Sequence, residues 1–186
     1  MTNVLVTGGL GHIGSQLIRE LSGTQDLSMV RILDNFFTQR YCSLFNLPSN
    51  IEYELVEGDI REDGDLDRAL DGIDVVFHLA AITDAPGTLA IPELTEEVNA
   101  KATRKLVQAC LKHSVRKIIY PSTTSVYGPS EGIVTEETTP NPQTPYAKYK
   151  LVGEHEIIGP AKAGDIEGFV LRFGTICGTS IGMRFH

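Results

Sequence analysis

Short runs of β-branched residues alternate along the chain with segments in which apolar residues recur at helical spacing. The short runs predict strands at residues 3–7, 29–33, 51–56, 74–79, 116–120 and 167–172. Strands that alternate with helices in this way are typical of a parallel sheet with both faces covered. The pattern therefore predicts an α/β fold with a doubly wound parallel sheet and right-handed crossovers.

Three segments between these strands have the apolar spacing of amphipathic helices. They run over residues 10–21, 94–109 and 147–158, and the last has the least apolar stripe. Glycine and proline mark the stretches 84–92 and 128–145 as loops. The sequence contains no internal repeat and no low-complexity segment.

Length, charge and cysteine usage narrow the class of protein. A chain of 186 residues fits one domain of moderate size. Its net charge of -8 argues against a nucleic acid or a membrane surface as partner, because both require a basic face. Three cysteines without metal spacing, no basic leader and no bilayer-length apolar run predict a soluble cytoplasmic protein. The histidines are scattered over unlike elements, so we expect no metal site.

The first predicted strand leads directly into the glycine-rich segment TGGLGHIG, residues 7–14. Gly9, Gly11 and Gly14 permit a tight turn, close approach of a pyrophosphate and close packing of the following helix. The helix N-terminus then presents unpaired N–H groups to phosphates. Asp34, 20 residues beyond Gly14, would bond both ribose hydroxyls and repel a 2′-phosphate. These features predict a site for NAD rather than NADP; the alternative is a tight strand-to-helix turn without a ligand.

Hydroxyl, phenol and amine side chains gather beyond the fifth predicted strand. The segment PSTTSVYG, residues 121–128, follows that strand, and ligands bind outside the carboxyl ends of parallel strands. Tyr146 and Lys150 are four residues apart and would share a helix face, whereas Tyr149 has no lysine at that offset. We therefore predict that Tyr146 is an acid/base and that Lys150, together with the oxidised nicotinamide, lowers its pKa from about 10 towards neutrality. The alternative is an ordinary surface helix start.

Motifs in a fixed order extend over nearly the whole chain. They are TGGLGHIG, Asp34, GDI (58–60), HLAA (78–81), Asn99, STTSVYG (122–128), Tyr146-x-x-x-Lys150 and LRFGT (171–175). This series resembles the extended short-chain dehydrogenase/reductases, specifically the NAD-dependent nucleotide-sugar epimerases and dehydratases of the UDP-glucose 4-epimerase kind. The resemblance implies a Rossmann-type NAD-binding domain over residues 1–186. Residues 174–186 would lead towards a substrate-binding region that is largely absent.

The resemblance also implies a set of cofactor-binding residues. In chain order they are Gly8, Gly11, His12, Ile13, Asp34, Asn35, Thr38, Asp59, Ile60, Leu79, Ala80, Ala81, Asn99, Tyr146, Lys150 and Phe173. The first four would line the pyrophosphate, the next three would hold the adenosine ribose, and Asp59 and Ile60 would flank the adenine. Lys150 and Phe173 would lie at the nicotinamide end. Leu79 and Phe173 have an alternative interpretation as plain core residues.

The resemblance implies Thr123, Tyr146 and Lys150 as the catalytic residues. Thr123 stands four residues before Tyr127, where such enzymes place the side chain that binds the sugar hydroxyl. The neighbouring residues Ser122 and Thr124 are the alternatives for this role.

Oxidation of a sugar carbon needs a base for the hydroxyl proton and NAD for the hydride. Related dehydratases carry Asp-Glu directly after the catalytic threonine, whereas this chain has Thr124 and Ser125, which cannot ionise. The sequence therefore favours a nucleotide-sugar epimerase, with C4 as the favoured carbon. A dehydratase or reductase of the same family, or a catalytically incomplete NAD-binding module, remain the alternatives. Phe173-Gly174-Thr175 departs from the Phe-Asn of UDP-galactose epimerases, so the sugar is not specified.

The resemblance further implies a nucleotide-diphosphate sugar as substrate and a homodimer formed through helices at about 93–112 and 145–162. Relatives continue well beyond the segment SIGMRFH, residues 180–186, so we expect an incomplete substrate pocket that leaves activity of this chain open. Arg184 and His186 are candidates for phosphate or base contacts, with a frayed tail as the alternative.

Overall fold

The computed structural model describes residues 1–130 and 132–183, so the contacts predicted for Arg184 and His186 lie outside the described residues. The strands are β1 (Thr2–Thr7), β2 (Leu27–Asp34), β3 (Glu52–Glu57), β4 (Val75–His78), β5 (Lys117–Thr123) and β6 (Glu167–Phe173). They form one sheet in the order β3-β2-β1-β4-β5-β6, and every neighbouring pair is parallel. This order confirms the predicted doubly wound α/β fold.

Five α-helices connect the strands of the described chain. They are α1 (His12–Glu20), α2 (Asp63–Leu70), α3 (Pro92–Glu96), α4 (Ala102–Lys112) and α5 (Pro145–Ala163). The start of α5 has clear local causes, because the side chain of Thr144 accepts a hydrogen bond from the Ala147 N–H and Pro145 occupies the first turn. It ends at Gly164, whose φ of 84° is the left-handed conformation that terminates many helices.

A π-helical turn, Glu97–Lys101, joins α3 to α4. The sequence predicts one continuous helix over residues 94–109, so the structure departs from that expectation by one wider turn. Such turns insert an extra residue and commonly occur at functional sites. This turn carries Asn99.

Each face of the sheet packs against different helices. Leu5 of β1 belongs to the core cluster that includes residues of α2, α4 and α5, whereas its neighbours Val4 and Val6 point to the opposite face and pack with Ile18 of α1. The α1 face is less completely covered, and Phe169 of β6 is 47% exposed there. Across residues 1–130 and 132–183, no helix is long and apolar enough to span a bilayer.

Strand β5 extends three residues beyond its predicted end, through Pro121 to Thr123. It pairs with β6 over this whole length, whereas β4 pairs with it only as far as Ile119. Pro121 therefore lies where the strand has a single neighbour, and a residue without an N–H is tolerated at such a position. The extension carries Thr123 to the carboxyl edge of the sheet, next to the point where the strand order reverses between β1 and β4.

Candidate active site

The glycine loop between β1 and α1 packs so closely against its neighbours that two of its positions have no space for a Cβ atom. Gly8 has a φ of +66°, and a Cβ atom there would lie 2.6 Å from the backbone nitrogen of Ala80. A Cβ atom on Gly14 would lie 2.6 Å from the carbonyl oxygen of Gly8, so the third glycine lets α1 pack against the loop. Gly11 is the N-cap of α1 and has no side chain, so it leaves the first N–H groups of the helix without a side-chain cap.

A cavity of about 800 Å³ runs along the carboxyl edge of the sheet from this loop to the start of α5. It is lined by nearly all of the predicted site residues: Gly8, Gly11, His12, Ile13, Asp34, Asn35, Thr38, Asp59, Ile60, Leu79, Ala80, Ala81, Thr123, Tyr146, Lys150 and Phe173. One cavity therefore connects the predicted phosphate-binding end with the predicted catalytic end.

Asn99 is the predicted site residue that lies behind the cavity wall rather than in it. Its side chain is buried, its Oδ1 accepts from the Ile82 N–H at 2.8 Å, and its Nδ2 donates to the Ile82 carbonyl at 2.8 Å. Because Ile82 lines the cavity, the amide of Asn99 fixes the chain that follows β4 along its wall.

Asp34 lies at the end of β2 with both carboxylate oxygens already engaged. Oδ2 accepts from the Leu10 N–H at 3.1 Å, and Oδ1 accepts from the Phe36 N–H at 3.0 Å. Burial raises the pKa of Asp34, while these two backbone hydrogen bonds act in the opposite direction. The carboxylate is thus oriented towards the cavity, and each oxygen retains a lone pair for a ribose hydroxyl.

Asp59 forms a second acidic position at the same end. Arg61 donates to both of its oxygens, and Asn35 Nδ2 donates to Oδ2 at 2.9 Å. The hydrogen bonds from Arg61 lower the pKa of Asp59 to about 2, so this carboxylate is charged at neutral pH. Arg61 also lines the cavity, which places a cation beside the predicted adenine position.

Thr123 and Tyr146 meet at the other end of the cavity. Thr123 is the last residue of β5; its Oγ1 donates to Ser125 Oγ and accepts from the Ser125 N–H, both at 3.1 Å. Tyr146 lies in the first turn of α5, where its N–H donates to Thr88 Oγ1 at 3.3 Å. Burial raises the pKa of Tyr146, and a hydrogen bond with Thr123 opposes this rise. The predicted hydroxyl and phenol are therefore adjacent.

Lys150 is 4% exposed, and its Nζ donates to the carbonyl oxygen of Pro121 at 2.8 Å. The ammonium also lies 4.4 Å from the centre of the Tyr120 ring. Burial lowers the pKa of Lys150 to about 7, and the charge of Glu154 acts against this fall. In this structure burial of the phenol dominates the Tyr146 pKa, and the ammonium of Lys150 is directed at Pro121. The lowering of that pKa by Lys150 together with the oxidised nicotinamide therefore stays a prediction.

The segment after β6 also contributes to the cavity, which the sequence patterns did not indicate. Ile176, Cys177, Gly178 and Met183 line it. Ser180 Oγ shares a hydrogen bond of 2.7 Å with His12 Nδ1, and the Gly182 N–H donates to Ser15 Oγ at 2.9 Å. This segment therefore packs over the start of α1, and the predicted pyrophosphate residue His12 is held by it.

Other lining residues were also missed by the sequence analysis, among them Phe37, Arg40, Arg61, Thr83, Leu94 and Val98. Arg40 had a possible signal, being a basic residue six positions beyond Asp34, and its charge lowers the pKa of that carboxylate. The apolar members carried no signal beyond those of ordinary core residues.

The fold and the site together define a dinucleotide-binding α/β protein. Residues 4–186 match the NAD dependent epimerase/dehydratase family, and the chain belongs to that family. This finding confirms the family resemblance of the motifs.

Individual relatives agree with the family assignment. The chain is 34% identical over 193 residues to the uncharacterized UDP-glucose epimerase YtcB of Bacillus subtilis, covering 98% of this chain and 60% of the relative. A structure of UDP-N-acetylglucosamine 4-epimerase from Methanobrevibacter ruminantium, in complex with UDP-N-acetylmuramic acid, is 33% identical with a TM-score of 0.82. The match covers 92% of this chain and 54% of that one.

A second solved structure, UDP-glucuronic acid 4-epimerase from Bacillus cereus in complex with NAD, is 33% identical with a TM-score of 0.82. It is matched over 94% of this chain and 57% of its own length. The chain thus spans between 54% and 60% of the length of these relatives.

Proposed function

We propose that residues 1–186 form the NAD-binding and proton-transferring part of a UDP-sugar 4-epimerase. The observation that carries this proposal is the single cavity that joins the glycine loop and Asp34 to Thr123, Tyr146 and Lys150. The names of the relatives, which are UDP-sugar epimerases, support the substrate class and the carbon.

The residues at the first end of the cavity fit NAD. Gly8 and Gly11 line this end of the cavity, and α1 begins there at a glycine that has no side chain to cap its first N–H groups. These groups would bind the pyrophosphate, and Asp34 would accept from the ribose hydroxyls. The chemistry that NAD would supply at this site is reversible hydride transfer with a sugar carbon.

The residues at the second end would move the proton. Tyr146, as its phenolate, would accept the proton of the sugar hydroxyl at Oη and later return it. Thr123 would orient that hydroxyl, because its Oγ1 lies beside the phenol. Lys150 would stabilise the phenolate by its charge, and it would also bond the ribose next to the nicotinamide.

Epimerisation is favoured over elimination of water by the groups that line the cavity. Among the described residues, its only carboxylates are Asp34 and Asp59, both at the adenosine end. Thr124 and Ser125, which stand where related dehydratases have an acid and a base, are exposed. An epimerase needs no further acid or base once the keto sugar has formed, so Tyr146 suffices.

Two measurements test the proposal. Mass spectrometry of small molecules released from the denatured protein should detect NAD, and not NADP. Addition of UDP-glucose, UDP-N-acetylglucosamine or UDP-glucuronic acid to the NAD-loaded protein should then produce reduced nicotinamide fluorescence with at least one sugar. Failure to bind NAD would refute the proposal, and release of free NADH or a 4-keto-6-deoxy sugar would favour a reductase or a dehydratase instead.

A second candidate function is an NAD-binding module without turnover. It is favoured by the ammonium of Lys150, which donates to the carbonyl oxygen of Pro121 in this structure. NAD bound tightly with no reduction by any of the three sugars would favour this candidate.

We also propose a homodimer that forms through α4 and α5, as the family resemblance implies, and a cytoplasmic location. Three free cysteines and an acidic net charge support the location. Light scattering of the purified protein and cell fractionation would test these two proposals separately.

A further inference from the structure

Glu154 is a buried carboxylate one helical turn beyond Lys150. It is 1% exposed, and its Oε1 accepts from Ser122 Oγ at 2.5 Å. Arg172 of β6 binds the same carboxylate through Nη2 at 2.6 Å and through Nε at 3.0 and 3.1 Å. Removing two charges from water is costly, and apolar side chains could fill this space without that cost. A role beyond packing would explain why the chain buries the ion pair of Glu154 and Arg172 here.

The pair connects every element that carries a predicted catalytic residue. Arg172 also donates through Nη1 to the Tyr127 hydroxyl at 2.9 Å, and its guanidinium lies 4.9 Å from the centre of that ring. Glu154 is on α5 with Tyr146 and Lys150, and its partner Ser122 is on β5 directly before Thr123. Ser122 also follows Pro121, whose carbonyl oxygen accepts from the lysine.

Few groups other than Glu154 can influence the charge of Lys150. The ring of Tyr120 lies under the ammonium, and burial raises the pKa of its phenol, which therefore stays neutral. Burial lowers the pKa of His78 to about 3, so the imidazole is neutral as well. Tyr146 stands one turn earlier on α5, and burial raises its pKa too.

We propose that Glu154 is a positioning residue that supplies the counter-charge for the buried ammonium of Lys150. The two residues are four positions apart on one helix, and that spacing places both buried side chains on the same face of α5. Arg172 shares the carboxylate and thereby limits how much of its charge reaches the lysine. Burial and Glu154 act on the pKa of Lys150 in opposite directions, and this balance leaves it at about 7.

This role predicts that substitution of Glu154 and substitution of Arg172 shift the pKa of Lys150 in opposite directions. Glu154→Gln would leave Arg172 and Lys150 as two cations around a neutral amide, so the Lys150 pKa should fall by about one unit, a tenfold loss of proton affinity. Arg172→Gln would leave the carboxylate to Lys150 alone, so the same pKa should rise.

The test is a pH titration of lysine side chains enriched with ¹³C at Cε, followed by NMR, with the Lys150 signal assigned by its loss in Lys150→Met. Glu156→Gln is the matched control, because Glu156 is on the same helix but pairs with Arg104 on the outer surface. We expect an unchanged Lys150 pKa in this control and circular dichroism spectra like that of the wild type for all variants used.

An unchanged Lys150 pKa in folded Glu154→Gln would overturn the inference. If that variant does not fold, a Lys150 pKa in Arg172→Gln that stays constant or falls would overturn it equally. The importance of this charge for catalysis rests on the function proposed above, but the titration needs neither NAD nor a sugar. Failure to bind NAD would therefore remove the proposed function and leave this result standing, whereas sugar oxidation with an unchanged pKa would remove only the role of Glu154.

Discussion

The two ends of the cavity are built by different means. At the phosphate end, eight consecutive residues (7–14) supply backbone N–H groups on a tightly packed turn, where a Cβ on Gly8 would lie only 2.6 Å from Ala80. At the catalytic end, side chains from β5 and α5 meet, and Lys150 is both buried and ionisable. The first end therefore depends on shape and the second on charge, so different substitutions and conditions should disrupt them.

The largest expected effect is at the catalytic end. Tyr146→Phe should reduce sugar-dependent formation of reduced nicotinamide by about a hundredfold or more, because the phenol that accepts the proton is lost. NAD binding, measured by calorimetry, should change little, since the phosphate end is untouched. Tyr149→Phe is the control, because its hydroxyl contacts Glu96 outside the cavity. Equal activity of Tyr146→Phe and wild type would exclude Tyr146 as the acid/base.

At the phosphate end, a steric clash is the expected way to disrupt the site. Gly8→Ala places a methyl group against the Ala80 backbone at a φ of +66°, so we expect a loss of about 2 to 4 kcal/mol in the free energy of unfolding together with weaker NAD binding. Gly64→Ala is the control, because a Cβ there meets nothing within 4 Å. Urea denaturation checks both variants, and equal stability of Gly8→Ala and wild type would contradict the crowding described for this loop.

A smaller effect is expected at Asp34, where charge contributes to the phosphate end. Asp34→Asn should weaken NAD binding about tenfold through lost hydrogen bonds to the ribose, and it should narrow the preference over NADP. Glu57→Gln is the matched control, since Glu57 pairs with Asp34 in the sheet register but does not line the cavity. Parallel titrations with NAD and NADP measure both effects, and an unchanged ratio of affinities would count against the role of Asp34.

The effect that is smallest for each step of the experiment is the change of stability per pH unit. The Lys150 pKa of about 7 lies below its ordinary value of 10.5, so the unfolded chain binds more protons between these pH values. The unfolding free energy of wild type should therefore rise relative to Lys150→Met over this range, by about 1 kcal/mol per pH unit. The difference between wild type and Gly8→Ala should stay constant over the same range. Urea denaturation at several pH values measures these free energies. If Lys150 is not buried, the difference in unfolding free energy between wild type and Lys150→Met would not change with pH.

The contrast between the two ends also explains what the sequence could predict. The glycine loop and Asp34 have local signals, and the strands are predicted to within about three residues because apolar runs of that length belong to buried strands. Helical spacing correctly brings Tyr146 and Lys150 to one cavity. The sequence around Lys150 does not predict where its ammonium points, because the acceptor is the carbonyl oxygen of Pro121 on β5, which only the tertiary fold brings near.

Two further features depend on tertiary packing and lack a sequence signal. The contact between Ser180 and His12 joins residues that are 168 positions apart. The amide of Asn99 binds Ile82 from within a π-helical turn, whereas helical periodicity assumes a constant 3.6 residues per turn. Resemblance to a family could identify Asn99 as a site residue. It could not show whether the side chain contacts the cofactor or holds the cavity wall at Ile82.

That π-helical turn has a consequence for how the chain tolerates changes in length. One residue of an α-helix corresponds to about 100° of rotation, so a deletion within residues 97–101 would swing α3 about a quarter of the way around the axis of α4. Asn99 would then lose its two hydrogen bonds to Ile82. The cavity wall at Ile82 would no longer be held in place, although every lining side chain would still be present. Substitutions in this turn should therefore disturb the cavity wall less than the deletion of a single residue. The number of residues in this segment matters more than their identity.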